Sequence, residues 1–253
     1  MTRHTNAQTM TGAVRPGTLL AAYATRRGAR DHNMDAAAVF AADCGLVGAA
    51  VVDGIGNDHG GAATMRLLAR TAARIGVTRG PLAGVLAAAA LIEDPGAEDY
   101  KPDGVLVLAV AEPGAPTVLG WVGDSHAYSW DGVTLHRRTD PHTMGAFLRQ
   151  NGDHDVAELH DNWVRISLAT ATVTTVALSE APADELVLLV SDGLDDLPAS
   201  DLTALVRDLH RDPQALAEAI VAAARADSTG YRDDATAVVL TNDRSSHTDQ
   251  AEA

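Results

Sequence analysis

Aspartates recur in this sequence at the ends of apolar runs, each beside a glycine or another small residue. Val51-Val52-Asp53-Gly54 closes one run, Trp121-Val122-Gly123-Asp124-Ser125 a second, and Leu188-Leu189-Val190-Ser191-Asp192-Gly193 a third; Arg232-Asp233-Asp234-Ala235-Thr236 opens a fourth. A carboxylate at a strand end is rigidly placed, and a neighbouring glycine lets a backbone carbonyl or solvent come close. Taken singly, an Asp-Gly pair marks a turn more often than a ligand. Four such carboxylates brought together would repel one another unless cations neutralised them. Oxygen-only ligation, with water completing the shell, is the preference of Mg²⁺ and Mn²⁺.

Other chemistries find little support. The ten histidines show no His-Glu-x-x-His or comparable spacing, which argues against a zinc hydrolase. Gly54-Ile55-Gly56-Asn57-Asp58-His59-Gly60 misses the dinucleotide-loop spacing, and Asp53 and Asp58 would repel a diphosphate. Ser191 lacks the setting of a nucleophile elbow. The segments around Asp53 and Asp192 lack the Asp-x-Asp arrangement of aspartyl-phosphate phosphatases. A balance of 34 acids to 19 bases, net charge -15, repels a phosphate backbone, so nucleic acid is not an expected partner. The single cysteine, Cys44, rules out an internal disulfide and a four-thiolate zinc site, and its small apolar neighbours read as those of a buried structural thiol.

The elements that must position the aspartates are short and numerous. Strands are expected over Leu19–Ala24, Ala37–Ala41, Leu46–Val52, Val105–Ala111, Thr117–Val122, Ala127–Trp130, Trp163–Leu168, Leu186–Val190 and Ala235–Leu240, with Asp131-Gly132 as a hairpin turn. Helices are expected over Ala62–Ile75 and Leu82–Ile92, and again over Leu202–Leu209 and Pro213–Ala226, the last capped by Asp212 with Pro213 in its first turn. Runs of strands separated by helix pairs, without strand–helix alternation, indicate an α+β layered fold with antiparallel sheets. Residues 1–16 read as a flexible N-terminal tail, 17–241 as one domain, and 242–253 as a polar C-terminal tail. Nothing at the N-terminus has a signal peptide's apolar core, and the alanine-rich stretch from Pro81 to Ile92 is too short to span a bilayer. The expectation is a soluble, cytoplasmic protein with no membrane partner.

Five motifs, in order, resemble those of the metal-dependent protein phosphatase family (PPM, type 2C). Gly28-Ala29-Arg30-Asp31-His32-Asn33-Met34-Asp35 resembles its opening motif, an arginine five residues before an aspartate. Val52-Asp53-Gly54-Ile55-Gly56 followed by Gly60-Gly61 is similar to the Asp-Gly-Met-Gly-Gly loop of bacterial members, and Gly123-Asp124-Ser125-His126-Ala127-Tyr128 to Gly-Asp-Ser-Arg-Ala-Tyr. Ser191-Asp192-Gly193-Leu194-Asp195-Asp196 and Asp233-Asp234-Ala235-Thr236 resemble the closing pair. The likeness runs from about Tyr23 to Leu240.

The resemblance implies a four-layer α/β/β/α sandwich of two antiparallel sheets flanked by helix pairs. It implies two Mn²⁺ or Mg²⁺ ions: Asp53 bridging both, the Gly54 carbonyl on the second, and Asp192 and Asp233 on the first. Asp35 would fix a metal-bound water and Arg30 would grip the phosphate, while Asp124 and Asp196 with Asp192 would form a third, weaker site. The implied activity is hydrolysis of phosphoserine or phosphothreonine in proteins by a metal-activated water, with a phosphorylated protein as substrate and a cognate Ser/Thr kinase as a further partner. A non-catalytic regulator of this fold, binding a kinase or another phosphoprotein, and a small-phosphoester hydrolase are the alternatives. Ile55 stands where animal members carry a histidine, leaving His59 and His32 as proton-donor candidates, and His126 replaces an arginine in a position read as structural. Pro141 interrupts the usual Asp-His pair in Thr139-Asp140-Pro141-His142-Thr143, and the stretch from Ile166 to Val176, the flap beside the family's active site, lacks its glycine.

Overall fold

The computed structural model describes residues 9–14, 19–57, 59–92 and 102–242. One sheet contains six strands in the order β1 (Thr9–Val14), β2 (Leu19–Arg26), β11 (Ala235–Asn242), β10 (Leu186–Val190), β7 (His126–Trp130) and β8 (Leu135–Arg137). The other contains five: β3 (Ala36–Ala41), β4 (Val47–Ile55), β5 (Asp103–Ala111), β6 (Thr117–Val122) and β9 (Ala177–Ala181). Every strand pairing is antiparallel. Helices α1 (His59–Arg79) and α2 (Pro81–Ala89) cover the five-stranded sheet, and α5 (Ala199–Leu209) and α6 (Pro213–Ala223) cover the six-stranded one. This is the expected four-layer sandwich.

Why the strands read as unbroken apolar runs is now plain: the central ones are buried on both faces. Along β4, Val47, Ala49 and Val51 join the core between the sheets, while Ala50 and Val52 pack under α1 and α2. On β11, Val238 and Leu240 face the other sheet, and Ala237 and Val239 face α6. The period-2 alternation of strand side chains thus serves two apolar cores in place of one core and solvent. One helix start and one hairpin turn form as the sequence dictates. Asp212 accepts a hydrogen bond from the Ala215 amide ahead of Pro213, and Gly132, at φ +103°, turns β7 into β8 while Asp131 accepts from the amides of Val133 and Thr134.

Four expectations need correcting. Thr9–Val14, assigned to the tail, forms edge strand β1 along β2; its polar, small residues hide a strand whose stability comes from ladder hydrogen bonds. Trp163–Leu168 is not a strand: it makes one isolated bridge, Thr143 to Val164, then turns at Ser167, whose amide donates to Thr170 Oγ1. Its apolar residues Ile166 and Leu168 pack beside α2 without a ladder partner. Cys44 is exposed, because it lies in the tight turn at Ala42–Leu46 that joins β3 to β4. Two short helices, α3 (Met144–Gln150) and α4 (His154–Ala157), stand where no helix was expected. Residues 1–8 and 243–253 of the two expected tails lie outside the described residues. Among the described residues no helix is long and apolar enough to cross a membrane.

Candidate active site

The acidic residues gather where the chain crosses between the sheets and where central strands end at that same edge. Asp53 is the seventh residue of β4, paired with Val105 of β5. Asp192 follows β10, Asp233 and Asp234 precede β11, and Asp35 precedes β3. Asp124 sits between β6 of one sheet and β7 of the other, after Gly123 at φ +92°. Arg30 lies on the β2–β3 crossing. Asp192 and Asp233 are thus carried by the six-stranded sheet, Asp35 and Asp53 by the five-stranded one.

Backbone and side-chain bonds stitch the two edges together. The Ser191 hydroxyl donates to Asp35 Oδ2 at 2.6 Å and accepts from the Thr236 amide at 3.0 Å. Asp234 accepts from the amides of Gly28 and Met34, each at 2.8 Å, and the Gly54 amide donates to the Met34 carbonyl. Space there is tight enough to exclude side chains: a Cβ on Gly193 would stand 1.8 Å from the Asp234 carbonyl oxygen. His142 secures the Asp124 turn, its amide donating to the Gly123 carbonyl while its Nδ1 accepts from the Gly123 amide.

The electrostatics are those of a site short of positive charge. Burial, reinforced by Asp192, Asp35 and Asp124, raises Asp53 well above the ordinary carboxylate range. Burial raises Asp35 to about 8, with the nearby charges of Asp234 and Asp192 adding to it and the Ser191 hydrogen bond opposing it. Burial and Asp192 push Asp124 up to about 7, with Asp195 contributing. Asp233 and Asp234 are also raised, chiefly by burial. Two buried carboxylate oxygens, Asp35 Oδ1 and Asp192 Oδ1, have no hydrogen-bond partner. Leaving such oxygens unpaired is costly, and oxygen-rich ligation by a hard divalent cation removes both the orphaned oxygens and the mutual repulsion. The donor set therefore fits Mg²⁺ or Mn²⁺.

Among the described residues, Arg30 supplies the one cation in this cluster. Its guanidinium donates to the Gly54 carbonyl at 3.1 Å, to Asp233 at 3.2 Å and to Asp234 at 3.4 Å. Burial works against its charge, but Asp233, Asp53 and Asp234 outweigh that and hold its pKa above the ordinary value. Two groups expected to ligate metal, Gly54 and Asp233, are thereby tied to Arg30, and among the described residues no three His, Cys, Asp or Glu side chains converge at metal-ligating distance. Arg30 and a divalent ion draw on the same oxygens. Arg30→Gln should accordingly bind Mn²⁺ roughly threefold to tenfold more tightly, since a competing cation is gone, while KM for a phosphorylated substrate rises because the planar fork is lost. Titration calorimetry showing unchanged or weaker Mn²⁺ binding would contradict this shared use.

Of the residues expected at the site, Arg30, Asp53, Gly54, Asp124 and Asp192 line one cavity of about 520 Å³. Asp35 lies buried beneath it, and Asp233 reaches it through Arg30. Asp196 is exposed and lines neither this cavity nor the neighbouring one. Its neighbour Asp195 lines the second cavity with Asp124 and Asp192 and pairs with His126 at 3.0 Å. His126 also takes a hydrogen bond from Arg137 on Nδ1, as suits a supporting residue. The His59 side chain and Asp58 lie outside the described residues. Sequence reasoning missed Ser191, Asp234 and His142 as supports; only the Asp233-Asp234 doublet offered a signal for any of them.

No protein-family sequence model matches the chain, and no curated protein matches it by sequence. Solved structures do. The chain is similar to the PPM Ser-Thr phosphatase MsPP from Mycobacterium smegmatis, solved with cacodylate, at 26% identity over 87% of this chain and 97% of that one, with a TM-score of 0.65. It is similar to the catalytic domain of the serine threonine protein phosphatase PstP, solved with two manganese ions, at 25% identity over 89% and 98%, TM-score 0.65. PppA of Pseudomonas aeruginosa, described as a key regulatory component of T6SS, shares the fold at 22% identity, 91% and 100% coverage, and a TM-score of 0.67.

Proposed function

We propose that the chain is a member of the PPM family of metal-dependent Ser/Thr phosphatases, a reading supported by its likeness to MsPP and PstP, and that it hydrolyses phosphoserine and phosphothreonine in protein substrates. The observation that carries this reading is the single edge at which Asp35, Asp53, Asp124, Asp192 and Asp233 gather around one arginine. Asp53, the Gly54 carbonyl, Asp192 and Asp233 would hold two divalent ions, Mn²⁺ or Mg²⁺. Asp124 and Asp192 would hold a third more weakly, because fewer carboxylates leave more of its shell to water. Bound there, the cations supply Lewis acidity toward water and toward phosphoryl oxygens.

The chain's own residues do the rest. Arg30 presents a planar fork that matches two phosphoryl oxygens, which lysine would grip less specifically. Asp35, whose Oδ1 has no protein partner, orients the attacking water by accepting its hydrogen bond. Ser191 holds Asp35 in place through Oδ2. No covalent phosphoenzyme is needed, and Ser191, bonded to both Asp35 and the Thr236 amide, is a support and not a nucleophile. The same reading places the protein in the cytoplasm, with a Ser/Thr kinase as the source of its substrates.

The test is a phosphothreonine peptide assayed beside a phosphotyrosine peptide with and without Mn²⁺. Turnover of the phosphothreonine peptide should disappear on chelation and return with Mn²⁺. Full activity in protein shown by elemental analysis to be metal-free would end the metal-dependent reading.

A further inference from the structure

Two large apolar side chains stand in the open on the wall of the 520 Å³ cavity that holds Arg30, Asp53 and Asp192: Ile55, 48% exposed, and Trp163, 57% exposed. Exposed apolar groups scattered singly carry no message, but two lining one functional cavity do. They come from different parts of the fold. Ile55 is the last residue of β4, two positions after Asp53. Trp163 follows α4, in the segment between Asp161 and Val164.

Trp163 is not a loose side chain. Its carbonyl accepts from the Met144 amide and its amide donates to the His160 carbonyl; its ring stacks on His160, with centroids 5.8 Å apart and planes 28° from parallel. The strut beneath it is equally fixed. Asp161 makes two hydrogen bonds to Arg149, and Val164 bridges to Thr143. An aromatic ring held in one orientation binds without the entropic cost of ordering it, which is how aromatic residues come to dominate recognition surfaces.

We propose that Ile55 and Trp163 form an apolar rim that seats the residues flanking the phosphorylated side chain, so that this phosphatase selects phosphoserine and phosphothreonine sites with apolar neighbours. The occupant is the substrate polypeptide itself, and the argument is continuity with the catalytic cavity. In phosphoserine only Cβ and Oγ separate the phosphorus from the backbone. A phosphoryl group that reaches Arg30 and Asp53 therefore draws its own main chain down to the rim, and the adjacent side chains must rest on whatever lines it. There they meet an isoleucine and an indole, not charges. Asn162, beside Trp163 on the same cavity wall, offers an amide to the peptide backbone so ordered. This selectivity rests on the phosphatase reading above.

The experiment compares two phosphothreonine peptides at saturating Mn²⁺, one flanked by leucine and valine, the other by glycine and serine. The wild-type chain should favour the apolar peptide by about tenfold in kcat/KM, through KM more than kcat. Trp163→Ala should abolish most of that preference and Trp163→Phe should keep most of it; because the ring is over half exposed, its truncation opens no buried void. Equal use of both peptides by the wild type, or an unaltered preference in Trp163→Ala, overturns the rim while leaving the phosphatase reading intact. If the wild type hydrolyses neither peptide, the phosphatase reading fails and the rim falls with it.

Discussion

Asp53→Asn is expected to lower turnover at saturating Mn²⁺ by about a hundredfold or more, the largest loss of any conservative change in the site. Its carboxylate is buried, 8% exposed, and close enough to Asp192 to share a hydrogen bond, with Asp35 and Asp124 adding to the charge around it. Substituting the amide removes the charge that would serve two cations at once, so both sites weaken together and raising the Mn²⁺ concentration should not rescue the rate. A variant that keeps a tenth or more of wild-type turnover would show that Asp53 does not bridge two ions.

The second large effect concerns stability and needs no substrate. Asp35 and Asp124 are raised to about 8 and about 7, and Asp53 is raised well above the ordinary carboxylate range. A carboxyl whose folded pKa lies above its unfolded value of about 4 binds protons in the folded chain that the unfolded chain has released. Stability therefore falls as pH rises through that window. Chelated protein should melt at least about 5 °C lower at pH 8 than at pH 5. Added Mn²⁺ should reverse the trend, because it binds the ionised carboxylates, and its stabilising increment should be larger at pH 8 than at pH 5. Scanning calorimetry at both pH values, with chelator and with Mn²⁺, reads this directly. A chelated protein equally stable at both would mean the acids are not held in unfavourable contact.

Much of this was readable from residue order, for a physical reason. A strand buried on both faces must be apolar along its whole length, so β4, β5 and β10 announce themselves, and a carboxylate ending such a run stands out against them. Asp131-Gly132 and Asp212-Pro213 carry their turn and cap within four residues. What escaped depends on partners distant in sequence. Ala177–Ala181 is a strand because the edge of β6 offers it a ladder, and Trp163–Leu168 is not one because its pairing stops at the single bridge from Val164 to Thr143. Arg30 could be read as a phosphate ligand from its spacing to Asp35, but its bonds to Gly54 and Asp233 span 24 and 203 residues. The orientation of the turn after Asp192, which turns Asp195 and not Asp196 toward Asp124, depends on His126 on a neighbouring strand.

The position of β11 bears on when, during synthesis, the chain can become active. It is the last of the described strands to be made, yet it lies inside the six-stranded sheet, between β2 and β10. Until it emerges, β2 and β10 have no neighbour to join them, and that sheet is two separate fragments. The residue that opens the edge beside it, Asp233, also arrives only then. Long-range closure of this kind comes late in assembly. A nascent chain can therefore build the five-stranded sheet, with Asp53 and the α1–α2 pair, well before it can hold a full set of acidic ligands. Hydrolytic competence arrives with the final strand, so a partly made chain is spared from acting on phosphoproteins ahead of its own completion.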